Sequence, residues 1–246
     1  NRVKDRITGL TDMHTHIVCG IDDGAANLRA MKKMLEMAYQ DGIRHIISTP
    51  HFMPGRRKFD EATYQKSFAL AQQYMEQIAD DFDLYQGNEI YFHEQALPEL
   101  QNGHIHTLAD GPYILVEFNP QREFLYIRQS LRLLQERGYR VILAHAERMK
   151  HLNQIERIEE LVERGIYIQV NADSIMGKNG HTLKQLSRQM LRESLVHFVA
   201  SDCHDTTKRP PMLSACYRKI AKRYGEHMAH ALMRLNPQAI LEGKPL

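Results

Sequence analysis

The sequence lacks the features that mark membrane and secreted proteins. No apolar run approaches the roughly 18–20 residues that a membrane span needs, so we expect no membrane insertion. The first ten residues lack the apolar core of a signal peptide. The three cysteines, Cys19, Cys203 and Cys216, are odd in number and form no CxxC pair. This pattern argues against a disulfide scaffold and favours a protein of the reduced cytoplasm.

An excess of charge of either sign is also missing. The chain carries 32 Lys and Arg against 30 Asp and Glu, for a formal net charge of +2. A protein that binds the nucleic-acid backbone usually has a clear basic excess, so the composition argues against nucleic acid as a partner. The 246 residues are 43% hydrophobic and show no linker or low-complexity stretch. We therefore expect a single domain over residues 1–246.

Short apolar segments alternate with amphipathic ones along most of the chain. Helical periodicity is clear at 28–41, where Asn27 is a potential N-cap and Gly42 a potential stop. Strand–helix alternation of this kind predicts an α/β protein with a parallel sheet, either a closed barrel with a helical tail or an open doubly wound sheet. The seven candidate strands are 10–17, 43–51, 83–92, 113–118, 140–147, 166–172 and 195–204.

Histidines and acids recur where these candidate strands end. The first case is "TDMHTHIVCGIDDGA", which holds an HxH pair and two aspartates. In a parallel barrel the carboxyl ends of all strands meet on one face, so residues far apart in sequence converge there. The residues that we expect on this face are His14, His16, His51, Glu89, Glu117, His145, Arg148, Asp202 and His204.

Imidazole and carboxylate donors without thiolate suit Mn, Fe or Zn. Five histidines and at least three acids, counting Asp23, exceed what one ion takes, which indicates two or three ions bridged by carboxylate. Such centres activate water and stabilise both oxygens of a phosphoryl displacement. Arg148 and Arg209 are candidates for binding the phosphate through two hydrogen bonds each.

In this order and spacing, the motifs resemble a known family. HxH, "DDG", "TPH", a mid-chain glutamate, "HAER" and "SDxH" are typical of the polymerase-and-histidinol-phosphatase (PHP) family. The blocks "DMHTHIVCGIDDGA", "STPHF", "GNEIY", "LVEF", "HAER", "QVNADS" and "ASDCHD…RPP" resemble its bacterial manganese-dependent protein tyrosine phosphatases of capsule and exopolysaccharide loci. The resemblance covers about residues 9–243.

The resemblance implies a distorted (βα)7 TIM-like barrel with C-terminal helices and a trinuclear centre, with Mn as its metal and Fe or Zn as alternatives. Arg148 and Arg209 would bind the phosphate, and Glu117 would act as general acid or orient the attacking hydroxide, which the metals activate. Spacing fits Asp22 and Asp23 equally. We take Asp23, the residue directly before Gly24, as the implied ligand. The implied metal ligands are His14, His16, Asp23, His51, Glu89, His145, Asp202 and His204.

The substrate that the resemblance implies is a tyrosine-phosphorylated protein, namely the C-terminal tail of a bacterial tyrosine kinase that controls polysaccharide export. Three alternatives stay open. A small-molecule phosphatase such as a histidinol-phosphate phosphatase, or a nuclease, would use the same fold. A metal-stabilised binding module without turnover should have lost ligands or arginines, and this chain retains them all.

Four further features have more than one interpretation. "CHDTTKR", from Cys203 to Arg209, matches the Cx5R signature of cysteine-dependent phosphatases, but its acids disfavour a thiolate and a bound phosphate. "GRRKF" at 55–59 is a solvated turn or a basic lip that attracts phosphorylated peptide. Asn171 and Asp173 could support the ligands or cap a turn. The remaining histidines are expected to be packed or surface residues: His45, His93, His104, His106, His151, His181, His197, His227 and His230.

Overall fold

The computed structural model describes residues 7–246. Residues 1–6 of the ten-residue segment that was compared with a signal peptide lie outside the described part. Among the described residues there are nine strands and ten α-helices. The strands are β1 Leu10–Thr15, β2 Ile43–Ser48, β3 His51–Phe52, β4 Asp83–Tyr85, β5 Glu89–Tyr91, β6 Tyr113–Glu117, β7 Arg140–Leu143, β8 Tyr167–Asn171 and β9 Phe198–Ala200. The helices are α1 Leu28–Asp41, α2 Glu61–Ile78, α3 Ala96–Gln101, α4 Phe124–Glu136, α5 Ile155–Glu163, α6 Ala172–Met176, α7 His181–Arg192, α8 Ser214–Tyr224, α9 Glu226–His230 and α10 Asn236–Leu241.

All strand pairs in the two sheets are parallel, in the orders β1-β2-β4 and β3-β5-β6-β7-β8-β9. β3 continues the path of β2, and β5 that of β4, so the two sheets together follow seven strand positions. A parallel bridge between Thr15 and Cys203 joins the first position to the last. The Asp202 amide donates to the His14 carbonyl (3.0 Å) beside it. These contacts close a distorted barrel and confirm the predicted fold class over an open sheet.

Two predicted strands are each broken in two, which corrects their bounds. The segment 43–51 is interrupted at Thr49-Pro50, because Pro50 has no amide hydrogen to donate to a neighbouring strand. The segment 83–92 is interrupted at 86–88, where Asn88 accepts from the His106 amide (2.7 Å) and donates to the Pro50 carbonyl (3.1 Å). The breaks let the chain turn before His51 and before Glu89, the first residues of β3 and β5.

The helix predicted at 28–41 is confirmed. Asn27 caps α1 by accepting from the Ala30 amide (3.0 Å), and Gly42 ends it with φ +103°. A Cβ on Gly42 would lie 2.0 Å from the Ile7 carbonyl oxygen, so the residue must be glycine. The tail divides at Gly225 into α8 and α9, and a π-helical turn at Ala231–Leu235 leads into α10.

The barrel interior is apolar below the polar residues at the carboxyl ends of the strands. Its core contains Met13, Ile47, Tyr113, Ile142 and Phe198, all fully buried. The C-terminal tail covers this apolar part: the buried Ile240 joins the same core, and Tyr113 donates to the Lys244 carbonyl (2.7 Å). Within the described part of the chain, no helix combines the length and apolarity needed to cross a membrane.

Candidate metal centre

Alternation along the strands delivers polar side chains to the carboxyl end of the barrel. In β6, Tyr113 and Leu115 belong to the interior core, and Glu117, two residues further on, enters the polar cluster above it. The path of β9 shows the same change: Phe198 belongs to the interior core, and Asp202, four residues further on, enters the polar cluster. The predicted convergence of strand ends therefore occurs.

Four of the predicted ligand residues form a buried quartet. The Nε2 atoms of His14 and His16 lie 3.2 and 3.1 Å from Glu89 Oε2, and each lies 3.4 Å from Asp202 Oδ1. An octahedron or tetrahedron of ligands with bonds of about 2.1 Å has edges of about 3.0–3.4 Å. The four donor atoms thus have the spacing of ligands around one ion.

The hydrogen bonds of the two rings test whether a cation fits. His14 Nδ1 faces the amide oxygen of Gln169 (3.0 Å), and His16 Nδ1 faces the carboxylate of Asp22 (2.7 Å). Both partners are acceptors, so each Nδ1 carries a hydrogen, and Nε2 is the ring atom left to bind an ion. The two Nε2 atoms lie only 3.3 Å apart. Both Nε2 atoms therefore lie close to each other and to the carboxylates of Glu89 and Asp202, and this donor set fits a metal ion.

A second group contains His16, Asp23, His51 and His204. Asp23 Oδ1 lies 3.4 Å from Nε2 of both His51 and His204. His204 Nδ1 donates to the Asp202 carbonyl (2.9 Å), which leaves its Nε2 available as a ligand. Asp23 is largely exposed at the mouth of the site.

Asp22 and Asp23, which spacing could not separate, have different surroundings. Asp22 is mostly buried and accepts from His16 Nδ1, from the His51 amide (2.9 Å) and from the Gly24 amide (3.0 Å). Burial alone would raise the pKa of Asp22, but His16 and these hydrogen bonds lower it to about 2. Asp22 therefore orients His16, and the geometry favours Asp23 as the ligand candidate.

A third group contains His51, Glu89 and Glu117. His51 Nδ1 lies 2.9 Å from Glu117 Oε1 and 3.1 Å from Glu89 Oε2. His145 Nε2 approaches both carboxylates, at 2.8 Å from Glu89 and 3.7 Å from Glu117. The sequence assigned Glu117 an acid or orienting role, whereas the structure places its carboxylate among the candidate ligands. A glutamate at a strand end can bind an ion, act as an acid or orient a water. The position of Glu117 along the strand therefore could not decide between these roles.

Buried atoms without hydrogen-bond partners mark this part of the site. Glu89 Oε2, His51 Nδ1 and His145 Nδ1 are buried and form no hydrogen bond of acceptable geometry. Native proteins rarely leave such groups unsatisfied, and a bound ion is a common partner for them. Glu89 belongs to two groups and has two oxygens, so it can bridge. His16 has only Nε2 to offer and can bind one ion only.

A hydrogen-bonded chain behind the ligands fixes their orientation. The Gln169 side chain accepts from His14 Nδ1 and from the His145 amide (2.8 Å), and donates to Asn171 Oδ1 (2.8 Å). Asn171 in turn donates to Asp202 Oδ2 (2.8 Å). Asn171 thus supports a ligand, one of its two predicted roles. Gln169 was missed in the sequence, although its alternation with Asn171 along β8 was visible.

Arg148 and Arg209 approach the centre from one side. Arg209 Nη2 donates to Asp202 Oδ2 (2.6 Å), and Arg148 Nη1 lies 3.6 Å from the same oxygen. Their side chains are 36% and 41% exposed, so both guanidinium groups also face the open mouth. Burial opposes the charge of Asp202, but His14, His16 and His145 hold its pKa well below the usual range.

Close packing and unusual backbone angles position several site residues. His145 has φ +33° and Asp202 has φ +52°, conformations that are uncommon outside glycine and cluster at functional sites. Gly24 lies against His16: an added Cβ would be 2.1 Å from the His16 carbonyl oxygen. The glycine of "DDGA" therefore permits the loop to fold back on a candidate ligand.

The Cx5R match is accidental. Cys203 is completely buried, and burial, reinforced by Asp12, raises the pKa of its thiol to about 12. The amides of Thr207 and Lys208 donate to Asp205 Oδ1 at 2.7 and 2.6 Å, so they are not directed at a phosphate.

Asp173, like Asn171, was predicted either to support the ligands or to cap a turn. Its carboxylate pairs with Lys178 (2.8 Å) and, among the described residues, contacts no candidate ligand.

The other histidines stay out of the site. Among residues 7–246, none of the nine histidines expected to be packed or on the surface enters a ligand group. His106 pairs with Glu61 (2.9 Å), and His104 pairs with Glu99 (2.8 Å). His197 is mostly buried, which lowers its pKa to about 4, and its Nδ1 accepts from the Ile168 amide (3.0 Å).

Comparison with known proteins gives a consistent result. Tyrosine-protein phosphatase CpsB of Streptococcus pneumoniae is 34% identical over 238 residues, covering 94% of this chain and 98% of CpsB. Tyrosine-protein phosphatase YwqE of Bacillus subtilis strain 168 is 30% identical over 240 residues, covering 96% of this chain and 93% of YwqE.

Comparison with solved structures gives the same relatives as comparison of sequences. One from work on YwqE of Bacillus subtilis and CpsB of Streptococcus pneumoniae, described as unique metal-dependent tyrosine phosphatases, has a TM-score of 0.89 and 28% identity and covers 96% of each chain. A phosphotriesterase homology protein of Escherichia coli, with TM-score 0.60 and 12% identity over 94% of this chain and 97% of that one, shares the fold alone. The family model for capsular polysaccharide synthesis, CpsB/CapC, matches residues 10–242. The chain therefore belongs to the CpsB/CapC family.

Proposed function

We propose that this chain, acting as one domain, is a metal-dependent protein tyrosine phosphatase, a phosphoric monoester hydrolase. The observation that carries the proposal is the set of three overlapping ligand groups at the carboxyl end of the barrel, beside two arginines that face its mouth. The phosphatase names of the CpsB and YwqE relatives support the same activity.

The ions would be held by imidazole and carboxylate donors, with Glu89 as the bridging carboxylate. We infer two or three divalent ions. Donors without thiolate suit Mn, Fe or Zn, and the resemblance to manganese-dependent phosphatases favours Mn among them. When bound, such ions supply Lewis acidity, which lowers the pKa of water and offsets phosphoryl charge. The proposed ligands are His14, His16, Asp23, His51, Glu89, His145, Asp202 and His204, and Glu117 joins them by position.

The two arginines would bind and orient the phosphoryl group. Arg209 is hydrogen-bonded to Asp202, so its guanidinium plane is fixed while its other N–H groups remain available to the mouth. Arg148 lies beside the same carboxylate. Together they would neutralise the charge that develops on the phosphoryl oxygens as water attacks.

A tyrosine phosphate makes few demands on acid catalysis. The phenol has a pKa of about 10, so the phenolate leaves more readily than an alkoxide. Glu117 remains partly exposed at the rim of the site and can hold or transfer a proton, or serve as a ligand. Cys203 takes no part, because its thiol is buried and protonated.

The proposed partner is a tyrosine-phosphorylated protein of the cytoplasm, the C-terminal tail of a bacterial tyrosine kinase that controls capsule or exopolysaccharide synthesis. Membership of a capsular polysaccharide family supports this choice. Histidinol phosphate is the competing substrate class, and the near-neutral net charge argues against a nucleic-acid substrate.

The test is phosphate release from a tyrosine-phosphorylated peptide by Mn²⁺-loaded protein, with EDTA-treated protein and histidinol phosphate in parallel. We expect peptide turnover that EDTA abolishes and added Mn²⁺ restores. Turnover of histidinol phosphate alone would assign the protein to small-molecule chemistry. Metal binding without turnover of either compound would indicate a binding module.

A further inference from the structure

A second cavity lies next to the candidate metal centre. The first, of about 430 Å³, touches Asp23 and His51 of the centre. The second, of about 680 Å³, is lined by Phe52, Arg56, Arg57, Lys58, Phe59 and His104, among other residues. We call this second cavity the basic cavity. Arg57, Lys58 and Phe59 line both, so the two cavities are separated only by the segment 55–59.

The basic cavity carries a net positive charge. Its two acids are each paired with a histidine, Glu61 with His106 (2.9 Å) and Glu99 with His104 (2.8 Å). The Arg56 guanidinium lies over the Tyr91 ring, 4.5 Å from its centre. Among residues 7–246, no carboxylate forms an ion pair with Arg56 or Arg57. An anionic ligand could therefore pair with Arg56 and Arg57 without breaking an ion pair within the protein.

The basic segment has a defined shape. The Met53 carbonyl accepts from the amides of Arg56 and Arg57 at 3.1 Å each. Gly55 has φ +71°, and a Cβ there would lie 2.8 Å from Gln95 Oε1, so the turn packs closely on the next loop. Beneath it, the Phe59 ring lies 5.4 Å from the buried Phe52 ring. A tight turn presents the arginines above an aromatic floor, which reduces the entropy lost when a ligand binds.

We propose that the basic cavity binds acidic residues that flank the phosphotyrosine in a peptide substrate. The inference rests on the proposed phosphatase function, since it assigns the phosphotyrosine to the adjoining metal centre. An extended peptide advances about 3.3 Å per residue, so side chains two to four positions away reach about 7–13 Å from the phosphotyrosine. Charge complementarity selects carboxylate-bearing residues, and the aromatic floor can pack against their backbone and stems.

The experiment compares the wild type with the variant Arg56→Gln/Arg57→Gln. Lys58 is left in place because it lies close to Asp60, which caps α2 by accepting from the Thr63 amide. The control is Arg137→Gln/Arg192→Gln, the same loss of charge at the ends of α4 and α7, near the amino ends of the strands. The substrates are a phosphotyrosine peptide with Glu and Asp flanks, the same peptide with Gln and Asn flanks, and p-nitrophenyl phosphate.

We expect the wild type to have a lower KM for the acidic peptide than for its amide counterpart. In the Arg56→Gln/Arg57→Gln variant, KM for the acidic peptide should rise roughly tenfold with kcat little changed, as for two partly exposed charge contacts. KM for p-nitrophenyl phosphate should change by less than about twofold, and the control variant should behave as wild type. The advantage of acidic flanks should also shrink at high salt.

Three results would overturn the inference. Equal KM values of the wild type for the two peptides would show that flanking acids are not recognised. An equal rise for p-nitrophenyl phosphate would assign the arginines to the phosphate itself. A variant that changes only the oligomeric state in sedimentation would make the cavity an interface between copies of the chain. In each case the wild type still hydrolyses the peptide, whereas failure of the proposed function removes that turnover altogether.

Discussion

The two ends of the barrel interior are built from the same strands with opposite chemistry. Towards the amino ends, Tyr113, Leu115 and Phe198 form a dry apolar core. Two residues after Leu115, and four after Phe198, the same strand paths carry Glu117 and Asp202 into the polar cluster. Residues at both ends are buried, so the difference lies in what satisfies the buried atoms. Buried apolar side chains need only van der Waals contact with one another. The buried carboxylates and imidazoles of the polar end need hydrogen bonds and partners of opposite charge.

This difference separates stability from function. Fully burying a large apolar side chain stabilises a fold by about 1.5–3 kcal/mol, so the amino half contributes to folding directly. Burying a carboxylate or an imidazole costs free energy unless a counter-charge is present. The carboxyl half therefore depends on ions in a way that the amino half does not. Variants in the two halves should fail by different routes.

The largest effect is expected from loss of the shared carboxylate. Glu89→Gln should lower kcat/KM by on the order of a thousandfold or more, since bound ions stabilise a phosphoryl transition state by several kcal/mol. Bound metal per chain should fall with it, while circular dichroism shows a folded protein. Wild-type turnover in a variant that binds less metal would break the assignment of Glu89 as a bridge.

The matched change in the other half is Phe198→Ala. Removing this fully buried ring should lower the free energy of unfolding by about 3–5 kcal/mol, measured by urea denaturation of the metal-loaded protein. The kcat of the molecules that remain folded should stay close to wild type. A large fall in kcat without loss of stability would show that the two halves are not separable.

A smaller effect is expected from the hydrogen-bonded chain behind the ligands. Gln169→Ala removes the acceptor for His14 Nδ1 and should weaken metal binding about 10- to 100-fold, measured by competition with a chelator. Saturating metal should restore most of kcat. Gln135→Ala removes a hydrogen bond to the Arg164 carbonyl at the far end of α4 and should leave metal affinity unchanged.

The polar half should also respond to pH when metal is removed. Burial alone would lower the pKa of His51, but Asp23 and Glu117 raise it to about 10 in the metal-free protein. The stabilisation from a raised pKa is complete below the unfolded value of 6.5 and is lost as pH rises through 10. The Tm of EDTA-treated protein should therefore fall between pH 6.5 and about 10.

The same protonation predicts that metal binding at His51 releases a proton and strengthens as pH rises over that range. Calorimetry in buffers of different ionisation enthalpy measures the release. His51→Gln should weaken both the Tm trend and the proton release. Persistence of both in His51→Gln would assign them to other groups.

The smallest effect is expected at the residue that imitates a nucleophile. Cys203→Ser should keep kcat within about twofold of wild type, because a buried thiol with a raised pKa does not attack phosphorus. An inactive variant that still binds its metal would contradict hydrolysis by water and revive the cysteine mechanism. His204→Ala and Arg148→Ala, in contrast, belong with Glu89→Gln among the largest effects and should abolish turnover.

The alternation of strands and helices predicted the barrel because parallel connections leave few other arrangements. It did not predict the breaks before His51 and Glu89, since those depend on Pro50 and on hydrogen bonds from Asn88 to distant segments. Apart from Asp23, the residues that the structure brings together in the three ligand groups were predicted to converge from their positions at strand ends. The division between Asp22 and Asp23, and the place of Glu117, required three-dimensional neighbours.

The central claim is that the polar end of the barrel is a centre for more than one ion. The most direct test is titration of chelated protein with Mn²⁺, following bound metal and phosphate release together. The claim predicts no turnover without metal and full turnover only after at least two ions bind per chain, with Glu89→Gln failing to reach that number. Full turnover of the metal-free protein, or saturation at one ion in both proteins, would contradict it.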